Sequence, residues 1–340
     1  MGLASTTSVS VVIVTRNERE RVRGCIESVL TLCEGVDSEV ILVDSNSSDG
    51  TVEVATEYPI TVLQIPTDDL STPGAGRQVG FRHASGDLVL FVDGDIHVSD
   101  GWLEGAIRTV EQSPDVAGVD GVLAESEADG DSSEEKESST RETDRAEGDP
   151  ERVDHLLGVA LYDADALEAV GGFDPWLDAM EDIDLGYRLR RAGYRLLRLP
   201  AVVGSHPKSV GYGEIRRRWQ SGYMYGIGQG LRKSSTDPGM AANWLSIYWL
   251  PVASGLWLSL GGLLAALRRG RVGLAWAAIS SVVFAAAILS RGPAWTVHKT
   301  LSDLLTPPSI VLGLGRYDPD ADEFPFDRVD VVTSPRSNRA

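Results

Sequence analysis

The chain has 340 residues and a formal net charge of −19 at pH 7, with 50 acidic and 31 basic side chains. This length is enough for about two domains with a large buried core, whereas so much negative charge would repel nucleic-acid phosphates and argues against general nucleic-acid binding. Cys25 and Cys33 are too few for a disulfide framework and wrongly spaced for a zinc site, so we expect reduced cysteines in the cytosol.

The acidic composition and the first residues indicate where the protein works. An excess of carboxylates keeps a protein surface hydrated in concentrated salt, which also screens their repulsion, so the composition fits the cytosol of a halophile. Residues 1–18 lack the basic start and the apolar core of a signal peptide. We therefore expect the part of the chain that follows an N-terminal tail of residues 1–7 to stay in the cytoplasm.

The first hundred residues alternate between short apolar runs and helical patterns. Residues 9–14 form a β-branched run typical of a buried parallel strand. The apolar spacing of Val22, Cys25, Ile26 and Val29 then predicts a helix. The same alternation continues with predicted strands at 39–44, 60–65 and 88–93 and predicted helices at 51–58 and 76–85. This order predicts an α/β fold, with an open and mostly parallel sheet that carries helices on both faces.

Polar side chains follow several of these predicted strands. In open α/β sheets, ligands bind beyond the carboxyl ends of the strands, which is where Thr15, Asp44, Asp93 and Asp95 fall. Asp93 and Asp95 flank Gly94, whose backbone freedom would let both carboxylates turn toward one hard cation such as Mg²⁺ or Mn²⁺. A capping turn is the other interpretation of this short pattern.

Two later segments stand out by composition. Residues 124–152 are rich in acidic and poor in apolar side chains, which predicts a disordered insertion that is either a solvated halophilic loop or a loop that helps to select a ligand. Residues 181–193 form a predicted helix that opens with Glu181 and Asp182. One of these carboxylates can act as a general base, although acids at a helix N-terminus more often only cap it.

Beyond residue 239 the chain becomes apolar. Residues 240–267 and 272–290 contain no charged side chain, and each is long enough to cross ~30 Å of hydrocarbon. The short basic turn between them predicts a hairpin of two transmembrane helices. A shallow interfacial hairpin and two buried helices of a soluble domain are the alternatives. Residues 291–340 are interpreted as a C-terminal cytoplasmic tail.

The motifs VSVVIVTRNE, ILVDSNSSDGT, GDLVLFVDGDIHV, VGGFDPWLDAMEDIDLGYRLRRAGYR and VVGSH follow one another in the order found in family 2 glycosyltransferases with a GT-A fold. The chain resembles that family over residues 8–210. The resemblance implies a catalytic domain at residues 8–232 that uses a nucleotide-sugar donor and Mg²⁺ or Mn²⁺. With its predicted membrane hairpin, the chain is similar to the haloarchaeal enzymes that assemble dolichyl-phosphate-linked glycans for N-glycosylation of surface-layer (S-layer) proteins.

The resemblance also implies roles for individual residues. These are Thr15, Asn17, Glu18 and Asp44 in the nucleotide pocket, Arg77 and His206 near the diphosphate, Asp93 and Asp95 at the metal and phosphates, Asp182 as catalytic base with Glu181 beside it, and Arg218 and Trp219 in a basic, Trp-containing motif. Ile215 departs from that last motif as processive relatives have it, and Ser45 stands where many relatives have an Asp that reads uracil. Processivity and the donor base therefore stay open. His206 can also be read as a strand-end histidine, and His97 as a supporting or solvent-facing side chain.

The expected activity is inverting transfer of a sugar to a hydroxyl of a lipid-linked glycan, at the cell membrane and from its cytoplasmic side. A sugar hydroxyl needs a base in order to attack, whereas a lipid phosphate is already an anion, so the predicted base favours extension of an existing glycan. The alternatives are transfer directly onto polyprenyl phosphate and a catalytically silent, membrane-tethered glycan-binding scaffold. A nucleotidyltransferase would need a Gly-rich triphosphate loop, which the segment VTRNERERVRG lacks.

Overall fold

The structure is a computed structural model that describes residues 7–126, 148–207, 212–267, 270–318 and 323–335. These residues form two compact units. The first unit comprises the described parts of Met1–Leu177, Glu181–Lys208 and Asp322–Ala340, and the second those of Asp178–Met180 and Ser209–Ala321. The helices after residue 208 therefore belong to the second unit, whereas the catalytic domain was predicted to continue to residue 232.

Four parallel strands form one half of the sheet in the first unit. They are β1 (Val9–Thr15), β2 (Ser38–Asp44), β3 (Thr61–Gln64) and β4 (Leu88–Asp93), and the helices between them are α1 (Val22–Leu32), α2 (Thr51–Ala55) and α3 (Pro73–His83). The strands lie side by side in the order β3-β2-β1-β4. This half has the strand and helix alternation that the sequence predicts, and its carboxyl ends face one edge of the sheet.

The other half of the sheet combines both strand directions. It contains β5 (His97–Val98), β6 (Val116–Ser126), β7 (Glu151–Val153), β8 (Val159–Asp163) and β9 (Arg195–Pro207), with α4 (Leu103–Glu111), α5 (Ala164–Ala169) and α6 (Glu181–Arg191). β8 runs antiparallel between β4 and β6, β9 is parallel to β6, and β5 and β7 are antiparallel to β9. The sheet is therefore mixed rather than mostly parallel.

Both ends of the predicted acidic insertion belong to this sheet. β6 continues to Ser126, where it pairs with Pro207 of β9, and β7 begins at Glu151. Backbone hydrogen bonds to β9 hold these polar residues in strands, because a ladder at the sheet margin needs no apolar side chains. The predicted disorder of the remaining insertion falls on residues 127–147, which lie outside the described residues.

The core of the first unit lies on both faces of the sheet. Successive side chains of a strand point to opposite faces, so Val11 and Ile13 of β1 pack in one apolar cluster and Val12 packs in the other. In the same way, Leu90 and Phe91 of β4 are divided between the two clusters. Burial on both faces explains why these strands are continuous apolar runs.

The second unit is helical where it is described. It contains α7 (Tyr212–Gln220), α8 (Gly226–Lys233), α9 (Pro238–Ala266), α10 (Gly270–Arg291) and α11 (Pro293–Arg316). α7, α8, α9 and α10 all pack against α11, which explains why α7 and α8 belong to this unit. By length and composition, α9 and α10 can cross a membrane, with mean hydropathies of 1.5 and 2.2. None of the described residues of α10 is buried, so its apolar surface needs a lipid or protein partner.

Residues 291–340, which were interpreted as a C-terminal tail, contain a further helix and a further strand. Residues 293–316 form helix α11, whose charged side chains and internal Pro307 and Pro308 weaken the apolar pattern by which α9 and α10 were predicted. After α11 the chain returns to the first unit, where β10 (Asp330–Thr333) pairs antiparallel with β3. A four-residue strand at a sheet edge has too weak a local pattern to be predicted from sequence.

Candidate active site

Three strand ends meet at one edge of the sheet in the first unit. The parallel register pairs Thr15 of β1 with Asp44 of β2, and Val14 of β1 with Asp93 of β4. The backbone N–H of Gly94 donates to the carbonyl of Val14 at 2.8 Å, so the turn after β4 lies against the end of β1. This edge therefore brings together predicted nucleotide-binding and metal-binding residues.

The loop after β1 is hydrogen-bonded to the segment after β2. Asn17, at φ 56°, accepts a bond from the N–H of Ser48 at 2.9 Å and donates its own N–H to Ser47 Oγ at 2.7 Å. The N–H of Glu18 donates to Thr51 Oγ1 at 2.9 Å. Asn17 and Glu18, both predicted to line the nucleotide pocket, thus lie on a loop that protein contacts already hold in place.

Three buried polar atoms at this edge have no hydrogen-bond partner, namely Thr15 Oγ1, Asp44 Oδ1 and Ser45 Oγ. The other carboxylate oxygen of Asp44 accepts bonds from the N–H of Ser47 at 2.8 Å and from Gln64 Nε2 at 3.2 Å. Burial raises the pKa of Asp44. Since an unpaired buried polar atom costs about 1–3 kcal/mol, these three atoms mark a place where a polar ligand would improve the bonding.

Arg77 on α3 joins two acidic side chains from distant parts of the chain. Its Nη2 donates to Asp93 Oδ1 at 2.5 Å, and its Nη1 donates to Glu181 Oε1 at the start of α6. The side chains of Arg77 and Glu181 are largely buried, whereas that of Asp93 is 39% exposed. Arg77 therefore connects the strand edge to the helix turn that carries the predicted base.

Asp182 follows Glu181 in the first turn of α6. It is half-buried, and its Oδ1 accepts a hydrogen bond from the N–H of Ile183 at 2.8 Å. Burial raises the pKa of both Glu181 and Asp182, while the positive charge of Arg77 acts in the opposite direction. A carboxylate with a raised pKa accepts a proton more readily, which is the property that a general base needs.

Asp95 and His206 form a second polar cluster. His206 Nε2 on β9 lies 3.1 Å from Asp95 Oδ2. Burial alone would raise the pKa of Asp95, but the hydrogen bond and charge of His206 hold this pKa below its usual value. In the described part of the chain, no three His, Cys, Asp or Glu side chains are grouped so as to hold a metal ion. Asp93 and Asp95 therefore fit Mg²⁺ or Mn²⁺ only with additional oxygens from a bound substrate, which is the usual arrangement for Mg²⁺.

Arg218 and Trp219, also predicted as donor-binding residues, lie on α7 in the second unit. Arg218 Cζ is 5.1 Å from the centre of the Tyr223 ring. The Trp219 ring meets the Tyr225 ring edge to face, with centroids 5.6 Å apart. Trp219 also lines, with apolar side chains of α7 and α11, a cavity of about 400 Å³. Arg218, which is exposed, and Trp219 thus each contact an aromatic ring within their own unit.

Gly158 is a residue of this site that was not predicted from the sequence. Its carbonyl accepts a hydrogen bond from the N–H of Asp93 at 3.0 Å. A Cβ atom at Gly158 would lie 2.4 Å from Asp93 Oδ2, so a larger residue would displace the carboxylate. The local sequence carries no sign of this contact, because Gly158 and Asp93 meet only through the pairing of β4 with β8.

The sequence is similar to those of known glycosyltransferases. Residues 10–171 match the family model described as glycosyl transferase family 2. Glycosyltransferase AglE of Haloferax volcanii is 29% identical over 217 residues, which cover 62% of this chain and 70% of AglE. Succinoglycan biosynthesis protein ExoA of Rhizobium meliloti is 26% identical over 321 residues, which cover 81% of this chain and 94% of ExoA. The match to AglE confirms the predicted resemblance to a haloarchaeal glycosyltransferase.

A solved structure supports the fold. Mannosyltransferase PcManGT from Pyrobaculum calidifontis, in complex with GDP-Man and Mn²⁺, superposes with a TM-score of 0.63 and covers 89% of this chain and 86% of that chain. Its sequence identity is 19%, so the likeness is one of fold. The predicted GT-A fold class is confirmed by this likeness.

Proposed function

Because residues 10–171 match the family model described as glycosyl transferase family 2, we propose that this chain is an inverting enzyme that moves a sugar from a nucleotide-sugar to a hydroxyl of a lipid-linked glycan. The observation that carries this proposal is the Arg77 bridge between Asp93 and Glu181. A single guanidinium, that of Arg77, therefore joins the carboxylate of Asp93 at the sheet edge to the helix turn that begins with Glu181 and Asp182.

The donor nucleotide binds at the ends of β1 and β2. The unpartnered buried atoms Thr15 Oγ1, Asp44 Oδ1 and Ser45 Oγ support this assignment, because a base or ribose supplies polar groups to complete their bonding. Asn17 and Glu18 border the same pocket on the loop that follows β1. Both uracil and guanine carry N–H groups that suit a carboxylate acceptor, so this site alone does not select the base.

The diphosphate of the donor lies between Asp93, Asp95 and His206. Asp93 and Asp95 would hold Mg²⁺ or Mn²⁺, which when bound neutralises negative charge on the departing nucleoside diphosphate. Arg77 adds a fixed positive charge at the same place through its bond to Asp93. Two carboxylates alone would leave the metal's coordination incomplete, so its binding would depend on the donor diphosphate.

Asp182 acts as the general base. Its carboxylate accepts the proton of the acceptor hydroxyl while the hydroxyl oxygen attacks the anomeric carbon from the face opposite to the leaving group. The bond from that carbon to the diphosphate breaks and the configuration inverts. The raised pKa of Asp182, caused by burial, supports this role.

The acceptor is carried by the membrane. The apolar and exposed helices α9 and α10 support membrane attachment directly after the catalytic unit in the sequence. Similarity to a haloarchaeal glycosyltransferase and the acidic composition support the assembly of a dolichyl-phosphate-linked glycan for N-glycosylation of S-layer proteins. The same features support a catalytic unit that faces the cytoplasm.

Donor and acceptor screens test this proposal. The full chain, in detergent with Mn²⁺, is incubated with radiolabelled UDP-sugars and GDP-sugars, and each donor is offered either dolichyl phosphate or a dolichyl-phosphate-linked glycan. We expect label on the glycan-bearing lipid, and we expect the anomeric proton coupling of the product to show inversion. Label on dolichyl phosphate alone would favour the polyprenyl-phosphate alternative. No transfer and no donor hydrolysis with any sugar would favour the silent scaffold.

The pathway is tested separately in cells. In a strain that lacks this gene, we expect the lipid-linked glycans and the S-layer N-glycans both to lack one sugar. Restoring the wild-type gene should return that sugar, whereas a gene carrying Asp182→Asn should not. An unchanged glycan profile in the deletion strain would contradict the pathway assignment.

A further inference from the structure

Three residues before α6 leave the first unit and pack within the second. Asp178–Met180 belong to the second unit, whereas Leu177 and Glu181 on either side belong to the first. Glu181 and Asp182 therefore directly follow a short segment that is held elsewhere.

Gln229 of α8 makes two hydrogen bonds to Asp178. The backbone N–H of Asp178 donates to Gln229 Oε1 at 2.9 Å, and Gln229 Nε2 donates to Asp178 Oδ2 at 3.3 Å. Gln229 is almost completely buried, with 1% of its surface exposed. Buried amides are costly to leave unpaired, so this pair, which we name the Asp178–Gln229 clamp, fixes both the backbone and the side chain of Asp178.

Neighbouring groups of the second unit close around the same segment. Arg316 Nη1, at the end of α11, lies 3.7 Å from Asp178 Oδ2, and the Arg316 guanidinium stacks over the Tyr225 ring at 4.4 Å. A Cβ atom at Gly226 would lie 2.9 Å from the carbonyl oxygen of Ala179. The fit therefore leaves little room for Asp178 and Ala179 to move.

Met180 completes the segment in an unusual conformation. Its φ is +66°, in the left-handed region that residues with a side chain rarely adopt. Such a conformation persists only where the surroundings enforce it. The Asp178–Gln229 clamp lies two residues before Met180. Glu181, which directly follows Met180, starts α6 and bonds to Arg77.

We propose that Asp178 is a positioning residue for the transfer reaction, and that the Asp178–Gln229 clamp sets the first turn of α6 and with it Asp182. The proposal rests on the proposed role of Asp182 as base. It implies that the conformation of residues 178–180 determines the geometry of the proton-accepting group.

Exchanging the amide and the carboxylate group between Gln229 and Asp178 tests the proposal. Gln229→Glu places two carboxylates against each other, whereas the double variant Asp178→Asn with Gln229→Glu restores both hydrogen bonds with one donor and one acceptor exchanged. In the full chain, we expect Gln229→Glu to lower kcat for transfer about 10²-fold with the donor KM unchanged, because misplaced groups lose rate rather than donor binding. We expect the double variant to recover most of kcat. Asp237→Ala, which removes a carboxylate that caps α9 in the same unit, is the control.

Hydrogen exchange gives a readout that does not depend on activity. The amides of Leu185, Gly186 and Tyr187 make the first hydrogen bonds within α6, and we expect them to exchange about tenfold faster in Gln229→Glu and at the wild-type rate in the double variant. Unchanged exchange in Gln229→Glu, or equally fast exchange in the rescued double variant, would overturn the proposal. If the wild type transfers no sugar, the proposed function fails, while the exchange rates still decide whether the clamp sets α6.

Discussion

Arg77 Nη2 lies 2.5 Å from Asp93 Oδ1, so a guanidinium on helix α3 is shared with the last residue of strand β4. The same guanidinium also bonds to Glu181 of α6. One buried positive charge therefore serves two carboxylates and lies near a third, Asp182, whose pKa it lowers against the effect of burial. The predictions that follow depend on how these charges balance.

Arg77→Met should destabilise the fold. The substitution leaves Asp93 and Glu181 without their cation, and removing one partner of a buried pair typically costs about 3–5 kcal/mol. Chemical denaturation in high salt measures the free energy of unfolding. Arg195→Met is the control, because it removes an arginine bonded to Asp115 at an exposed site, where we expect a much smaller loss. Equal effects of the two substitutions would contradict the importance of the buried bridge.

The same variant should change how stability depends on pH. Burial raises the pKa of Asp93 and Glu181 in the folded chain above the values they have when unfolded. The folded state therefore binds more protons than the unfolded state. The free energy of unfolding falls as the pH rises from about 4, the pKa of these carboxyl groups in the unfolded chain, through their raised pKa in the folded chain. Without Arg77 the folded pKa values rise further, so we expect a steeper loss in Arg77→Met. A parallel pair of pH–stability curves would contradict this expectation.

Asp182→Asn should lower sugar transfer by about 10²–10⁴-fold and leave donor binding nearly unchanged. The wild-type rate should rise with pH through the pKa of Asp182, since the base must be unprotonated. Because burial raises that pKa, we expect the rise to lie above about pH 4, the ordinary range of an aspartate. Asp165→Asn, on the exposed surface of α5, serves as the control. Full activity of Asp182→Asn would refute the assignment of the base.

His206→Ala should weaken the effect of divalent metal on donor binding. Loss of the hydrogen bond from His206 lets the pKa of Asp95 rise toward its usual value, and leaves Asp95 less fixed. We expect thermal stabilisation by a nucleoside diphosphate to require about tenfold more Mn²⁺. His97→Ala is a close control, because His97 is exposed on β5 opposite Ser205 of the same strand as His206. If His97→Ala raised the Mn²⁺ requirement more than His206→Ala, His97 rather than His206 would be the histidine that supports Asp95.

Gly94→Ala should disturb the end of β1. Its Cβ would lie 2.7 Å from Thr15 Cβ and 3.1 Å from the carbonyl of Val14, so the strand end or the turn must shift. Overpacking of this kind typically costs about 1–3 kcal/mol, and we expect weaker donor binding in an equilibrium titration. Gly105→Ala in α4 meets no atom within 4 Å and should stabilise the helix slightly. Donor binding by Gly94→Ala as tight as that of the wild type would contradict a functional role for the close packing of Gly94 against the end of β1.

Val282→Asp in α10 should reduce membrane association. Val282 is 71% exposed, and a charged residue at the centre of a membrane helix costs about 2.5–3.5 kcal/mol on insertion scales. Flotation of cell membranes measures the share of protein bound to lipid. Val331→Asp introduces the same charge on exposed β10, which is not part of either apolar helix, and we expect it to float like the wild type. An equal distribution of both variants would argue that α10 meets a protein partner instead.

Much of the fold and the edge residues of the site follow from local sequence patterns. The apolar runs that end in Thr15, Asp44 and Asp93 predicted both the strands and the edge where these side chains meet. Short-range patterns are informative here because a buried parallel strand is apolar throughout and changes abruptly at its end. The helix that begins at Glu181 was predicted for a similar reason, from its acidic first turn and its apolar spacing.

Contacts between distant segments could not be predicted in this way. Arg77 and Glu181 are 104 positions apart, and their bond depends on packing that no local pattern records. The same holds for Gly158 against Asp93 and for the Asp178–Gln229 clamp. Helix α11 was missed for another reason, because its proline pair and charged residues interrupt the apolar run on which the membrane prediction relied.

The pairing of β10 with β3 has a consequence for biosynthesis. Residues 330–333 complete the sheet beside Thr61–Gln64, and helices α9 and α10 lie between these strands in the sequence. A ribosome therefore releases both apolar helices before it releases the strand that covers β3. Until then the edge of β3 is an unpaired ladder of N–H and C=O groups, which is a site for wrong pairing with another chain. Capture of the apolar helices by the bilayer during translation would keep nascent chains apart through that interval.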